Sequence, residues 1–274
     1  MRAKYLHLAV GFVLFLLFYI FICKRKPNGP GSGCLSESDW LQETSSDIVE
    51  RHRLAVQRLK PDLKWMKNKV LSHTLSTIPV RFPNCSSTVF LLVLVASSPN
   101  NFEERNAIRG SWASLPQSVA RDRVFKGVLR YYDTRNAFKT VFLMGRSADK
   151  KTQALINREM EIYNDVVFGE FEDNYNNLVY KTRLGMTWAY LQCSSSYVLK
   201  TDDDVFINTW QLLQWAVRSD ELNFYSGWCN YRSKVSRNKL SKWYISAEEY
   251  NENEFPPYCL GGGYIMSEDI LSYY

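Results

Sequence analysis

Histidine is nearly missing from this chain. His7, His52 and His73 are the three it has, and none follows Val80. A Ser-His-Asp or Cys-His centre and a histidine-ligated zinc are thereby excluded from Val80 to Tyr274. Cysteine is scarce: Cys23, Cys34, Cys85, Cys193, Cys229 and Cys259, with no C-x-x-C pair. That argues against a structural zinc. Acidic residues are absent ahead of Glu37, while Arg2, Lys4, Lys24, Arg25 and Lys26 carry five of the six net positive charges. The rest of the chain is close to neutral, so nucleic acid is not an expected partner, because phosphate binding needs a basic surface.

What the sequence does have begins with an uncharged run of 19 residues, Tyr5 to Cys23. As a helix it spans about 28 Å, close to one bilayer core. Bulky Ile20-Phe21-Ile22 leads straight into Lys24-Arg25-Lys26, without the small-residue cleavage site of a secretory signal. The expected organisation is a cytosolic tail at 1–4, a transmembrane signal anchor at 5–23, a stem at 24–84 and a domain at 85–274. Pro27-Asn28-Gly29-Pro30-Gly31-Ser32-Gly33 reads as flexible linker. If the domain faces an oxidising lumen, some of the last four cysteines can pair, but spacing does not give the connectivity. Asn84-Cys85-Ser86 is the single N-x-S/T sequon, usable only on that side.

The stretch with the most chemistry is Tyr197 to Asn208. An apolar, β-branched run leads into Asp202-Asp203-Asp204 and Val205-Phe206-Ile207 leads out. This reads as a strand that stops, presents charge and resumes. Three adjacent carboxylates repel one another, and a hard divalent cation relieves that repulsion. Mg²⁺ and Mn²⁺ usually hold substrate phosphates too. A solvated acidic turn is the plainer alternative. Asp202-x-Asp204 also resembles the haloacid-dehalogenase phosphotransferase signature, which predicts a phosphorylated Asp202; that fold places the motif at its start, which ranks the reading below the metal one.

Strands and helices alternate around this stretch. Thr88–Ala96 is expected as a buried, parallel strand. Asn101 is expected to cap a helix, with Glu104 completing a capping-box-like pair. Arg105 and Arg109 share one face of that helix, where two guanidinium forks could clamp a diphosphate or lie solvated. Strands at Thr140–Gly145 and Asp165–Phe171, helices at Thr152–Tyr163, Asn176–Cys193 and Thr209–Arg218, and a strand at Asn223–Cys229 complete an α/β pattern. Its sheet is mixed and mainly parallel. Ligands in such sheets bind at the carboxyl ends of strands. Residues 231–250 are basic and aromatic, Phe255–Tyr264 reads as a Pro-bent, Gly-rich loop, and Glu268-Asp269 as a helix start.

Six pieces in fixed order resemble the β1,3-galactosyltransferase family. They are Arg105-x-x-Ile108-Arg109-x-Ser111-Trp112; Val141-Phe142-Leu143-x-Gly145; Glu161 with Asp165; Phe171-x-Asp173-x-Tyr175-x-Asn177-Leu178-x-x-Lys181-Thr182; Lys200-Thr201-Asp202-Asp203-Asp204-Val205-Phe206-x-Asn208; and Pro256-Pro257-Tyr258-Cys259-x-Gly261-x-Gly263-Tyr264. The resemblance implies a GT-A fold on a single-pass type II membrane protein of the Golgi. It implies Mn²⁺-dependent, inverting transfer of a hexose, galactose or N-acetylglucosamine, from a UDP-sugar to a glycoprotein or glycolipid glycan. Asp204 would ligate the metal, and Asp202 would help it. Asp202 and Asp203 would also contact the ribose or the donor sugar. Arg105, Arg109 and Asp173 would line the uridine-diphosphate site, supported by Lys181, and residues 258–264 would lie near the acceptor. The family's acidic general base and a later metal-holding histidine would fall beyond Tyr274. The chain alone is therefore expected to be weakly active or inactive. A membrane-anchored, sugar-binding or assembly partner is the competing expectation.

Overall fold

Apolar runs punctuated by charged helical stretches build one seven-stranded sheet. The computed structural model describes residues 80–85, 88–113, 138–219 and 222–273. The expected anchor and nearly all of the stem lie outside these residues. No helix among the described residues is long and apolar enough to cross a membrane.

In chain order the elements are β1 (Val80–Arg81), β2 (Val89–Ala96), α1 (Phe102–Arg109), β3 (Phe138–Arg146), α2 (Lys150–Tyr163), β4 (Val166–Glu172), α3 (Leu178–Gln192), β5 (Ser195–Asp202), α4 (Thr209–Arg218), β6 (Tyr225–Asn230), β7 (Ser233–Lys234), β8 (Glu254–Phe255) and β9 (Tyr258–Ser267). Short 3-10 turns, Tyr175–Asn177 and Glu268–Tyr273, precede α3 and follow β9. Strand order is β1-β4-β3-β2-β5-β9-β6, with β7 and β8 paired separately. The run β4-β3-β2-β5 is parallel, and β9 is antiparallel to both β5 and β6. The expected mixed, mainly parallel sheet flanked by helices is what forms. It takes in Val80-Arg81, ahead of the expected domain start at Cys85.

β2 is buried along its whole length, as its unbroken Val/Leu run requires of a central parallel strand. Its residues divide between two cores. Phe90, Val93 and Val95 meet Ile108 of α1, Trp112 beyond it, and Leu213 and Val217 of α4. Val89, Leu92 and Leu94 meet Leu184, Trp188 and Leu191 of α3. Tyr180, one turn ahead of Leu184 on α3, is exposed and leans on Phe171. Gly185 lets α3 close on the sheet, since a Cβ there would come within 2.5 Å of Leu143.

Two expectations change. Val205–Asn208 does not resume a strand; it is a loop ending in the Asn208 cap of α4. Ile207 is buried there but Phe206 faces outward. The Gly261-Gly262-Gly263 run is not a loop but the middle of β9. No glycine among the described residues has positive φ, so these three serve space rather than turning.

The last four cysteines form Cys85–Cys193 and Cys229–Cys259. The first ties the entry to β2 to the exit from α3 across a separation of 108 residues. Closing so long a loop restricts the unfolded chain strongly. Replacing both Cys85 and Cys193 with serine is expected to cost about 2–4 kcal/mol, read as a lower urea midpoint with a steeper slope, since the unlinked chain exposes more surface when unfolded.

Candidate functional site

β2 leads outward through β3 to β4 on one side, while β5 lies on the other, so the chain reverses direction between β2 and β5. Side by side at that point stand their carboxyl ends: Ala96 pairs with Asp202, and the Asp203 N–H donates to the Ala96 carbonyl. Such a switch point opens the crevice in which doubly wound sheets bind ligands. The three aspartates project there because the β5 ladder to β9 stops at Thr201–Gly263.

The three carboxylates are placed differently. Asp202 Oδ1 accepts from Lys200 Nζ at 2.5 Å. Asp203 Oδ2 accepts from the Ser98 N–H and from Asn101 Nδ2, at 3.3 and 2.9 Å, which pins the β2–α1 loop to the carboxylate turn. Asn101 does stand at the start of α1, but its side chain makes no cap bond. The competing partner is Asp203. Asp204 is the exposed member. Burial of part of its surface, then the charges of Asp202 and Asp203, hold its pKa above the ordinary aspartate value. Of the three, Asp204 is the carboxylate whose charged form its neighbours disfavour. Among the described residues, no three His, Cys, Asp or Glu side chains converge as a metal cage.

The arginines are engaged elsewhere. Arg105 is fully buried. Its Nε and Nη2 meet the two Glu159 oxygens at 2.9 and 2.7 Å. Nη1 donates to Ser97 Oγ and the Ser98 carbonyl, and Nη2 also to the Pro99 carbonyl. Arg109 makes a two-pronged contact with Asp165 at 2.7 and 2.9 Å and a third, at 2.7 Å, with Glu159. It also stacks on Phe142 and Tyr163. Neither is a free diphosphate clamp. Both tie α1 to α2 through Glu159, Arg109 also reaches Asp165 just ahead of β4, and Arg105 fixes the back of the β2–α1 loop. Glu159 sits below its ordinary pKa: burial pushes it up, and the two arginines more than offset that.

Asp173 and Lys181, which the resemblance puts at the uridine-diphosphate site, are paired with each other. Lys181 Nζ lies 2.7 Å from Asp173 Oδ1 and donates to the Ser97 carbonyl at 2.8 Å. The Gly145 N–H donates to Asp173 Oδ2 at 2.7 Å. This buried pair joins the carboxyl ends of β2, β3 and β4 from behind. Glu159 was not singled out from the sequence, although Ile156-x-x-Glu159-Met160 puts a carboxylate on the buried stripe of α2. That is the signal for a buried cation partner.

The far wall is the excursion 231–257. It leaves from the end of β6 and returns to the start of β9, which lies at the carboxyl end of β5. Lys242 Nζ reaches over the ring of Tyr175, just beyond β4, at 4.7 Å. The excursion therefore runs along the mouth from β9 to β4. It leaves Trp243 70% and Tyr231 64% exposed. Cβ atoms built on Gly262 and Gly263 would meet nothing within 4 Å, so the strand beside the aspartates leaves open space.

Comparison with known proteins gives the family. The galactosyltransferase family model matches residues 103–273. Beta-1,3-galactosyltransferase 1 of Homo sapiens and of Mus musculus is 31% identical over 194 residues, covering 69% of this chain and 55% of the relative. Beta-1,3-galactosyltransferase 5 of Homo sapiens is 32% identical over 185 residues, covering 67% of this chain and 55% of the relative. The chain spans about half the length of the curated relatives it matches. This chain belongs to the galactosyltransferase family.

Proposed function

We propose that the chain carries the donor side of a transferase that moves a hexose, galactose by preference, from a UDP-sugar to a glycan in β1,3 linkage with inversion. The observation that carries this is the placing of Asp202–Asp204 at the switch point, against the pinned β2–α1 loop and the open glycines of β9. The names of the relatives, beta-1,3-galactosyltransferases, support this choice of linkage and sugar. The two disulfides support an oxidising compartment, and with the uncharged run at 5–23 they support a type II protein of the Golgi membrane.

The donor set suits Mn²⁺ shared with phosphate oxygens. Asp204 offers an exposed carboxylate that Asp202 and Asp203 repel, and Asp202 keeps one oxygen beyond its bond to Lys200. A hard cation that draws few ligands from protein and the rest from phosphate needs no closed cage. Bound there, it would neutralise charge growing on the departing diphosphate. Asp203 keeps the loop against the nucleotide side. Asp202 offers an acceptor to donor hydroxyls. Arg105, Arg109, Asp173 and Lys181 hold this ground plan from behind. The aromatic excursion and residues 258–264 face the side from which a glycan would arrive.

Calorimetric titration of the chain with UDP, with and without Mn²⁺, tests the reading. Binding that requires Mn²⁺ is expected. Equal binding without the ion would remove the metal from the proposal, and no binding in either condition would favour a scaffold or sugar-binding partner.

A further inference from the structure

Lys200 has no obvious reason to lie where it does. It follows Val198 and Leu199 in a buried strand and is itself 6% exposed. A buried ammonium persists only when paired. Alternation along β5 puts Val198, Lys200 and Asp202 on one face. Lys200 Nζ donates to Asp202 Oδ1 at 2.5 Å and to the Gly261 carbonyl at 2.6 Å. Thr201 Oγ1 donates to the Gly262 carbonyl at 2.9 Å. Where the main-chain ladder to β9 ends, two side chains take over the next two carbonyls. β5 can then leave the sheet without abandoning β9, and Lys200 joins the glycine strand to the first aspartate.

We propose that Lys200 is the positioning residue of the donor site: it locks Asp202 so that one oxygen, Oδ2, is left aimed at the ligand. The proposal rests on the donor-site reading above. The bond at Oδ1 fixes the carboxylate's rotation. The ammonium offsets one of the three clustered negative charges, so the turn can be assembled before a cation arrives. Removing it leaves Asp202 free to turn and strengthens its repulsion of Asp204.

The test is a double-mutant cycle on the full chain, read by calorimetry with UDP in Mn²⁺, by Mn²⁺ binding alone from its paramagnetic resonance signal, and by thermal unfolding. Lys200→Met is expected to weaken UDP by about 10–100-fold, the worth of one charge-assisted hydrogen bond. Affinity for Mn²⁺ alone should hold or rise, because a positive charge has gone. Lys200→Arg, which keeps a cation, should recover most of the UDP affinity. In an Asp202→Asn background, Lys200→Met should cost less than about twofold further, since the two residues act as one unit. Should Lys200→Met not fold, the cycle is run with Lys200→Gln, which keeps a polar chain of similar reach and removes the charge.

Unchanged UDP affinity in Lys200→Met overturns the proposal. So does an equal loss in both backgrounds, which would mean that Lys200 acts through Gly261 alone. Both outcomes leave the donor-site reading standing. Failure of the unaltered chain to bind UDP with Mn²⁺ overturns that reading and this inference with it.

Discussion

Replacing Arg105 with methionine is expected to destabilise the domain by about 3–5 kcal/mol, the usual effect of stripping one partner from a buried ion pair. For a domain of this size that lowers the thermal midpoint by roughly 10 °C or more. The cause is local. Glu159 would lose its two-pronged partner, and the Ser98 and Pro99 carbonyls and the Ser97 hydroxyl would lose theirs, all within one buried cluster. Arg109 still reaches Glu159 but already spends its fork on Asp165. Arg105→Lys should recover less than half, because an ammonium cannot reproduce the planar fork. Changing Arg105 and Glu159 together, to methionine and leucine, should cost less than changing Arg105 alone. A diphosphate clamp predicts the opposite pattern: an unchanged midpoint with UDP binding lost. Thermal unfolding and UDP titration of one variant separate the two.

The same cluster gives a sign for acid. Glu159 lies below its ordinary pKa in the folded state. Such a group stabilises the fold above its unfolded pKa, near 4.3, and that contribution is lost as pH falls through the folded value. The lock on the β2–α1 loop therefore weakens as pH falls below the ordinary glutamate range.

Much of this was legible from residue order. The unbroken Val/Leu run of β2 marked a strand buried on both faces, as a central strand of a parallel sheet is. Asp202–Asp204, following an apolar strand, could only lie at a strand's carboxyl end. The glycines of β9 were harder. A Pro-Pro-Tyr lead and three glycines read as a turn, because glycine's usual reason is positive φ. Here the reason is room on a strand beside the aspartates, which depends on what lies across the sheet. The Arg105–Arg109 pair misled for a related reason. Spacing of four shows that two side chains share a helix face. It does not show whether solvent, a ligand or Glu159 covers that face. Asn101 repeats the lesson at its cap, where a partner 102 residues away takes the side chain.

Replacing Asp204 with asparagine should have the largest effect on binding and the least on folding. Asn keeps the shape and removes the charge. If the exposed carboxylate is the chief protein ligand of a phosphate-bound cation, Mn²⁺-dependent UDP affinity should fall by about 100-fold or more, comparable with losing a close charge–charge contact. Metal removal with a chelator should bring the unaltered chain to the same level. Stability should move the other way. Asp204 has a raised pKa in the folded state, through burial and through Asp202 and Asp203. Its charged form therefore opposes folding at neutral pH. As pH falls through the raised value, the folded state takes up a proton before the unfolded chain does, and the metal-free protein gains stability. Asp204→Asn has that relief at every pH. Its thermal midpoint should match or exceed that of the unaltered chain at pH 7 without metal, and the difference should shrink on acidification towards the ordinary aspartate range. An Asp204→Asn chain that binds UDP as tightly as its parent in Mn²⁺ would separate the carboxylate turn from the nucleotide. A variant that melts early would show instead that Asp204 is part of the scaffold.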